Sequence, residues 1–254
     1  VSYDIEDQVG VITLNNPPLN LLSQQVTDEL LELVSEVEIN LPRSLLIRAE
    51  GKAFCGGADV SRFTGMTPEQ IGSELKDFLA IIQRIERLPI PTIAAVQGAC
   101  AGGGLEIVLA FDLIFAGRGA KFAQSEAVIG AIPFAGVAQR LAERANPAKA
   151  KEIYYHTGFF PAENFEHWGI INKLFDDDAL NTASLKEASR LAKGPTQAYA
   201  YTKQIVNSYA EKGKENADAL TLKFGVNVFE TNDFNNGVAS LLKDGPGKAT
   251  FEGK

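Results

Sequence analysis

Histidine is nearly absent: only His156 and His167 occur in 254 residues, and neither stands near another metal-ligating side chain. That scarcity removes the usual imidazole bases and gives no metal-site spacing. Two cysteines, Cys55 and Cys100, cannot build a disulfide framework. No run of apolar residues is long enough to span a bilayer, and the N-terminus lacks a basic, apolar, small-residue signal pattern. The chain begins at Val1 rather than Met, which leaves a removed leader open. A reducing compartment is expected: the cytoplasm, or a mitochondrial-type matrix if a leader has been removed. Basic excess is also missing. The formal net charge is −8 and no basic run exists, so nucleic acid is a poor partner and no membrane contact is expected.

What remains is a chain with 45% hydrophobic and 22% charged residues, enough to bury a large core. Val9 to Leu14 is short, apolar and β-branched, as a buried strand is. Ser23 caps a predicted helix to about Ile39, with Val26, Leu30, Leu33, Val34 and Val37 on one face. Strands are predicted at Leu45 to Arg48, Thr92 to Val96 and Leu113 to Ala116, with a helix from about Pro68 to Arg87 between the first two. Another helix opens at Gly103 or Gly104 and runs to Ala110. Strand signals stop near Ser184, and helices are predicted over 184–193, 195–210, 214–230 and 235–243. The fold class is therefore α/β, with a core over 1–190 and a helical region over 191–254.

Two loops share one design. Lys52-Ala-Phe-Cys-Gly-Gly-Ala-Asp59 and Gly98-Ala-Cys-Ala-Gly-Gly-Gly104 each follow a strand, and small residues expose their backbone amides. A helix starting at Gly103 leaves unpaired N–H groups and partial positive charge there. Amides from two such loops, converging on one oxygen, would form an oxyanion hole; the plainer alternative is a pair of tight turns. The contiguous Gly102, Gly103 and Gly104 do not fit a dinucleotide-binding fingerprint. Glu106 lies among Leu105, Ile107, Val108 and Leu109, where a carboxylate should hold its proton to higher pH. Glu126 follows a short strand at Phe122-Ala-Gln-Ser. Each glutamate alone could be a helix-start residue; together they suggest proton transfer.

Gly51-Lys-Ala-Phe-Cys-Gly-Gly-Ala-Asp-Val60, Pro91 through Glu106, Phe111-Asp112 and Phe122 through Glu126 together resemble the crotonase superfamily of enoyl-CoA hydratases and isomerases. The likeness extends from Val11–Asn20 to a C-terminal segment with Thr231, Asp233, Gly237, Lys248 and Phe251. It implies a spiral of ββα units and a C-terminal helical region that assembles a homotrimer or a dimer of trimers. It also implies an acyl-CoA substrate, with coenzyme A part of that substrate and no separate cofactor or metal. By motif position, the Gly56 and Gly103 amides would hold the thioester oxygen. Cys55, Gly57, Ala58 and Asp59 would line the coenzyme A path, and Lys52 would approach its phosphates. Glu106 and Glu126 would handle the water that adds at C3 and the proton delivered to C2, in fatty-acid or related acyl-CoA metabolism.

Phe134 departs from the pattern, since hydratases usually carry glycine there. Its side chain could narrow the acyl or water site, or fill a gap in the core. Val137 and Asn236 are lesser departures. A double-bond isomerase, which can work with Glu126 alone, and a catalytically silent CoA-binding scaffold are the competing readings. Cys55 and Cys100 lack a neighbouring base and read as buried small residues rather than nucleophiles.

Overall fold

In a computed structural model, which describes residues 1–253, successive strands feed two different sheets. The strands are β1 (Ser2–Glu6), β2 (Val9–Leu14), β3 (Ser44–Ala49), β4 (Ala53–Cys55), β5 (Thr92–Val96), β6 (Ala99–Ala101), β7 (Leu113–Gly117), β8 (Lys121–Ala123), β9 (Phe160–Pro161) and β10 (Lys173–Phe175). One sheet runs β1-β2-β3-β5-β7-β10, the other β4-β6-β8-β9. Each turn of the chain thus gives one strand to each sheet, and the pairs β3/β4, β5/β6 and β7/β8 stack as a spiral. Pairing within the stack is parallel, with Leu46 opposite Ile93 and Cys100 opposite Phe122. The antiparallel strand pairs lie at the margins, β1 on β2 and β9 on β8.

Alternation along the strands explains why both faces of the larger sheet are covered. Ile12, Leu14, Leu45, Ile47, Ala94 and Val96 join the main core, whereas Val9, Val11, Leu46, Ile93 and Ala95 face the other way. The second face is sealed by α7 (Leu180–Ala192) through Leu180, Ala188 and Ala192. The main core takes α1 (Gln24–Ile39), whose N-cap Ser23 accepts from Val26 N–H, and α2 (Pro68–Arg87), which opens with a Thr67/Gln70 capping box. Between them in the site lies α3 (Gly103–Leu109), buried at all seven residues.

Three short helices follow, α4 (Val137–Arg144), α5 (Pro147–His156) and α6 (Ala162–His167). Beyond α7 come α8 (Thr196–Lys212), α9 (Lys214–Val228) and α10 (Asn232–Asp244). Lys203 on α8 reaches Asp112 at 2.9 Å, and Asp112 also accepts from the Thr92 N–H and hydroxyl. The Phe111-Asp112 motif is therefore a bolt between β5, β7 and the C-terminal helices. Among the described residues, no helix is long and apolar enough to cross a membrane.

Glycine 104 sets how closely α3 approaches β4. A Cβ there would lie 2.7 Å from Cys55 Cβ and 2.8 Å from its carbonyl oxygen, atoms that cannot swing away. Gly104→Ala should cost more than about 2 kcal/mol through overpacking, read as a lower midpoint in urea unfolding. Gly72, exposed in α2 with nothing within 4 Å of its would-be Cβ, should behave oppositely. Gly72→Ala should gain about 1 kcal/mol by helix propensity in the same assay.

Candidate active site

The first two turns of the spiral bring the two glycine-rich loops together. Gly98 and Gly102 have positive φ (58° and 50°), and Gly102 N–H bonds back to the Ala123 carbonyl at 3.0 Å. Gly57 also sits at positive φ, 100°, and a Cβ on it would lie 3.0 Å from the Ala101 carbonyl and 3.6 Å from the Gly103 nitrogen. Side chains at these positions would hold the loops apart. Gly103 is the first residue of α3, and its N–H has no acceptor among the described residues.

The partner amide differs from the sequence expectation. Gly56 N–H is already used, donating to the Leu19 carbonyl at 2.8 Å, so Gly56 is corrected as a ligand donor. Gly57 N–H points to the Cys55 sulfur at 3.4 Å. Ala58 N–H is the amide of this loop without an acceptor among the described residues. It faces away from the bridge in which Leu22 N–H donates to the Gly57 carbonyl and Asp59 N–H to the Leu22 carbonyl. Strand-like pairing alternates the direction of successive amides, which glycine counting cannot reveal.

These amides open onto a cavity of about 420 Å³. Gly56, Gly57, Ala58, Gly103, Glu106, Glu126 and Phe134 all line it, with apolar walls from Leu22, Phe63, Leu75, Phe78, Val128 and Ile129. Lys52 is exposed and lies outside the lining. Asp59 is spent on capping, accepting from Ser61 N–H at 3.2 Å and its hydroxyl at 2.6 Å. Cys55 is wholly buried off the cavity, and burial pushes its thiol up to about 12; burial raises Cys100 as well. Neither thiol is a nucleophile near neutrality. Phe134 does not fill a core gap: it is 37% exposed at the cavity wall.

Glu106 is 2% exposed. Burial raises its carboxyl from 4.5 to about 7, the Ala135 N–H at 2.7 Å opposes this, and the charge of Glu126 adds to it. Glu126 begins a 3-10 turn, Glu126–Ile129, and is likewise raised by burial, against a hydrogen bond from Gln124 Nε2 at 2.5 Å. Its Oε1 would be 3.0 Å from a Cβ on Gly102. So two carboxyls with upward-shifted acidity share one apolar cavity with two free amides, a combination able to give and take a proton beside a developing oxyanion.

Sequence reasoning missed Gln124, the Ala135 amide, and an ion pair between Arg62 and Glu74 at the cavity wall. The first stood in a quoted motif as a plain neighbour. Nothing in residue type marked the other two.

The raised carboxyl has a stability cost. Between pH 4.5 and 7 the folded state holds the Glu106 proton more tightly than the unfolded chain, so stability falls as pH rises through that window. The displacement from 4.5 to about 7 corresponds to about 3 kcal/mol at most. Glu106→Gln should therefore raise the melting temperature at pH 8, and the gain should vanish below about pH 4.5.

A family model for enoyl-CoA hydratase/isomerase matches residues 4–253. A Bacillus subtilis (strain 168) protein named "Probable enoyl-CoA hydratase" is 31% identical over 251 residues, covering 96% of this chain and 95% of its own. An Escherichia coli (strain K12) protein named 1,2-epoxyphenylacetyl-CoA isomerase is 30% identical, covering 94% and 93%. Among solved structures, an enoyl-CoA hydratase from Polaromonas sp. JS666 superposes with a TM-score of 0.92 at 26% identity, covering 99% of each chain. The spiral fold, the paired glycine loops and these relatives agree: the chain belongs to the enoyl-CoA hydratase/isomerase family, the crotonase superfamily its motifs resemble.

Proposed function

We propose that this enzyme is an enoyl-CoA hydratase that adds water across the 2,3 double bond of a 2-enoyl-CoA thioester. The observation that carries this reading is the pair of raised carboxyls, Glu106 and Glu126, facing the same cavity as the free amides. The Ala58 and Gly103 amides receive the thioester oxygen as it gains enolate charge. Each such donor is worth about 3 kcal/mol in a transition state. Glu106 and Glu126 hold the attacking water between them, one accepting a proton from it while the other delivers a proton to C2. Glu126 is the donor favoured by its place against Gly102. Since the two carboxyls interact, the acid limb of the rate profile belongs to the pair, and it should fall near pH 7 rather than near 4.5.

The support extends to assembly and substrate. In this reading Gly57 and Ala58 flank the coenzyme A path, the coenzyme enters as part of the substrate, and Lys52, exposed outside the cavity lining, approaches its phosphates. On the same reading the helices beyond residue 191, α8, α9 and α10, serve as a trimerisation region. Val206 and Tyr209 on α8, Leu222 and Val226 on α9, and Leu241 and Leu242 on α10 are all exposed, an apolar area that a trimer, alone or doubled, would cover. The buried free thiols suit a reducing compartment, the cytoplasm or a matrix.

Phe134 favours a second reading, double-bond isomerisation, because its ring occupies cavity wall beside Glu106 where water must sit. The E. coli relative carries an isomerase name.

Loss of the conjugated thioester absorbance of crotonyl-CoA, followed over acyl chains of several lengths, tests hydration; no turnover with any of them ends this proposal. Glu126→Gln should lower kcat at least about 100-fold for hydration and for 3-enoyl-CoA isomerisation alike. Glu106→Gln should impair hydration far more than isomerisation. With Phe134→Gly, the ratio of hydration to isomerisation should rise severalfold, measured as product partition by chromatography; an unchanged ratio would remove Phe134 from the water site.

A further inference from the structure

The turn Pro133–Gly136 is gripped on both its donors and its acceptors. The Ala135 N–H donates to the Glu106 carboxylate at 2.7 Å, and the neighbouring Phe134 N–H also favours its ionised form. The turn's carbonyls, Ala135 O and Gly136 O, accept from Arg140 Nη1 at 3.0 and 3.2 Å. The other edge of that guanidinium forms a two-pronged ion pair with Glu86, at 2.9 Å from Nε and 2.6 Å from Nη2. Arg140 is only 7% exposed. Gly136 is shaped for this contact: its φ is 87°, and a Cβ on it would fall 2.2 Å from Arg140 Nη1.

Stability alone is a weak account of such a buried pair. With Arg140 buried and Glu86 partly so, desolvation offsets much of their attraction, and apolar residues of similar volume commonly do as well. The arrangement does something an apolar plug could not: it directs the peptide groups of one short turn. Glu86 lies at the end of α2, the helix whose Leu75 and Phe78 wall the cavity. The guanidinium thus joins a cavity wall to the turn that supplies Glu106 with its hydrogen bonds.

We propose that Arg140, anchored by Glu86, is a positioning residue that fixes the Pro133–Gly136 turn so that its amides meet the Glu106 carboxylate and Phe134 meets the cavity. The inference builds on the reading of Glu106 as a reacting group. The charges acting on Glu106 are Glu126 across the cavity and Arg140 on α4 behind the turn; Glu86 on α2 pairs with Arg140, and Arg62 pairs with Glu74 on the same cavity wall. Arg144, also on α4, instead donates to the Leu109 and Phe111 carbonyls at the far end of α3. Glu126 raises the Glu106 carboxyl and Arg140 lowers it.

Two readouts test this. The first follows the Glu106 carboxyl by carbon NMR of glutamate-labelled protein, assigned by its loss in Glu106→Gln. In Arg140→Met its titration midpoint should rise by about half a pH unit or more, since a cation and well-aimed donors are both lost. Arg140→Lys, which keeps the charge without the fork, should recover part of the shift. Arg144→Met should lower the melting temperature and leave the midpoint in place. The second readout is steady-state kinetics on an enoyl-CoA the wild type turns over. Arg140→Lys and Glu86→Gln should lower kcat about tenfold with KM within about twofold. Should Arg140→Met fail to fold, those two variants carry both measurements. An unmoved midpoint in the folded Arg140 variants, with only thermal stability reduced, would overturn the proposal. So would a raised KM at unchanged kcat. Absence of all turnover in the wild type would sink the hydratase reading, while the titration would still decide the role of Arg140.

Discussion

Close backbone approach is the constraint on which the rest of the molecule turns. The loop before α3 and the loop after β4 touch through Gly57, Gly102, Gly103 and Gly104, and a methyl group at Gly103 or Gly104 would meet a neighbour at 2.8 Å or less. Backbone amides are the least adjustable donors a protein has, so a site made from them depends on how near two main chains can come. The spiral supplies that nearness by repetition. Because β4, β6 and β8 are parallel neighbours, the loops leaving them lie side by side although long stretches of chain, residues 56–98 and 102–120, run between these strands. Glu126, just beyond β8, arrives beside Gly102 by the same repetition.

Placing two carboxyls in an apolar cavity works against folding, and the surroundings show how far the fold tolerates it. Glu106 keeps the Ala135 amide as a donor and stays titratable near neutrality, whereas without that donor burial would hold its proton to still higher pH. Glu126, more open to solvent, keeps the Gln124 amide. Partial compensation of this kind separates a reactive acid from a merely buried one. Full pairing with an arginine would have pulled either carboxyl back to the ordinary range, and Arg140 is kept from that role by its engagement with Glu86.

Much of this was legible in residue order because the governing signals are local. Thr92–Val96 and Pro68–Arg87 emerge with the boundaries that apolar periodicity and proline punctuation predict, and Ser23 caps the helix it was expected to cap. The short strand Ala53–Cys55 was hidden, since three residues carry no period and exist only through their neighbours in the second sheet, whereas the strand expected just before Glu126 appears as Lys121–Ala123. The edge strand Ser2–Glu6, mostly exposed and paired on one side, lacked the apolar run that marks its partner. In the site, carboxylates among apolar neighbours were visible, but the direction of each amide was not. Gly56 was expected as the donor by its place in the family motif; a single long-range bond to Leu19 occupies that amide and leaves Ala58 with the free one.

Phe134 shows how one side chain can alter chemistry without touching this framework. Its backbone belongs to the turn that binds Glu106, so replacing glycine there keeps the amide and adds only a ring. The ring sits at the cavity wall while the donors to Glu106 and the amides of Ala58 and Gly103 are untouched. Enolate stabilisation, the step shared by hydration and isomerisation, depends on those amides. Entry of water, the step that separates the two, depends on the volume beside Glu106. A family that keeps the first group on main chain and leaves the second to side chains can change reaction by changing bulk. On the proposed function, residue 134 is where this chain exercises that freedom.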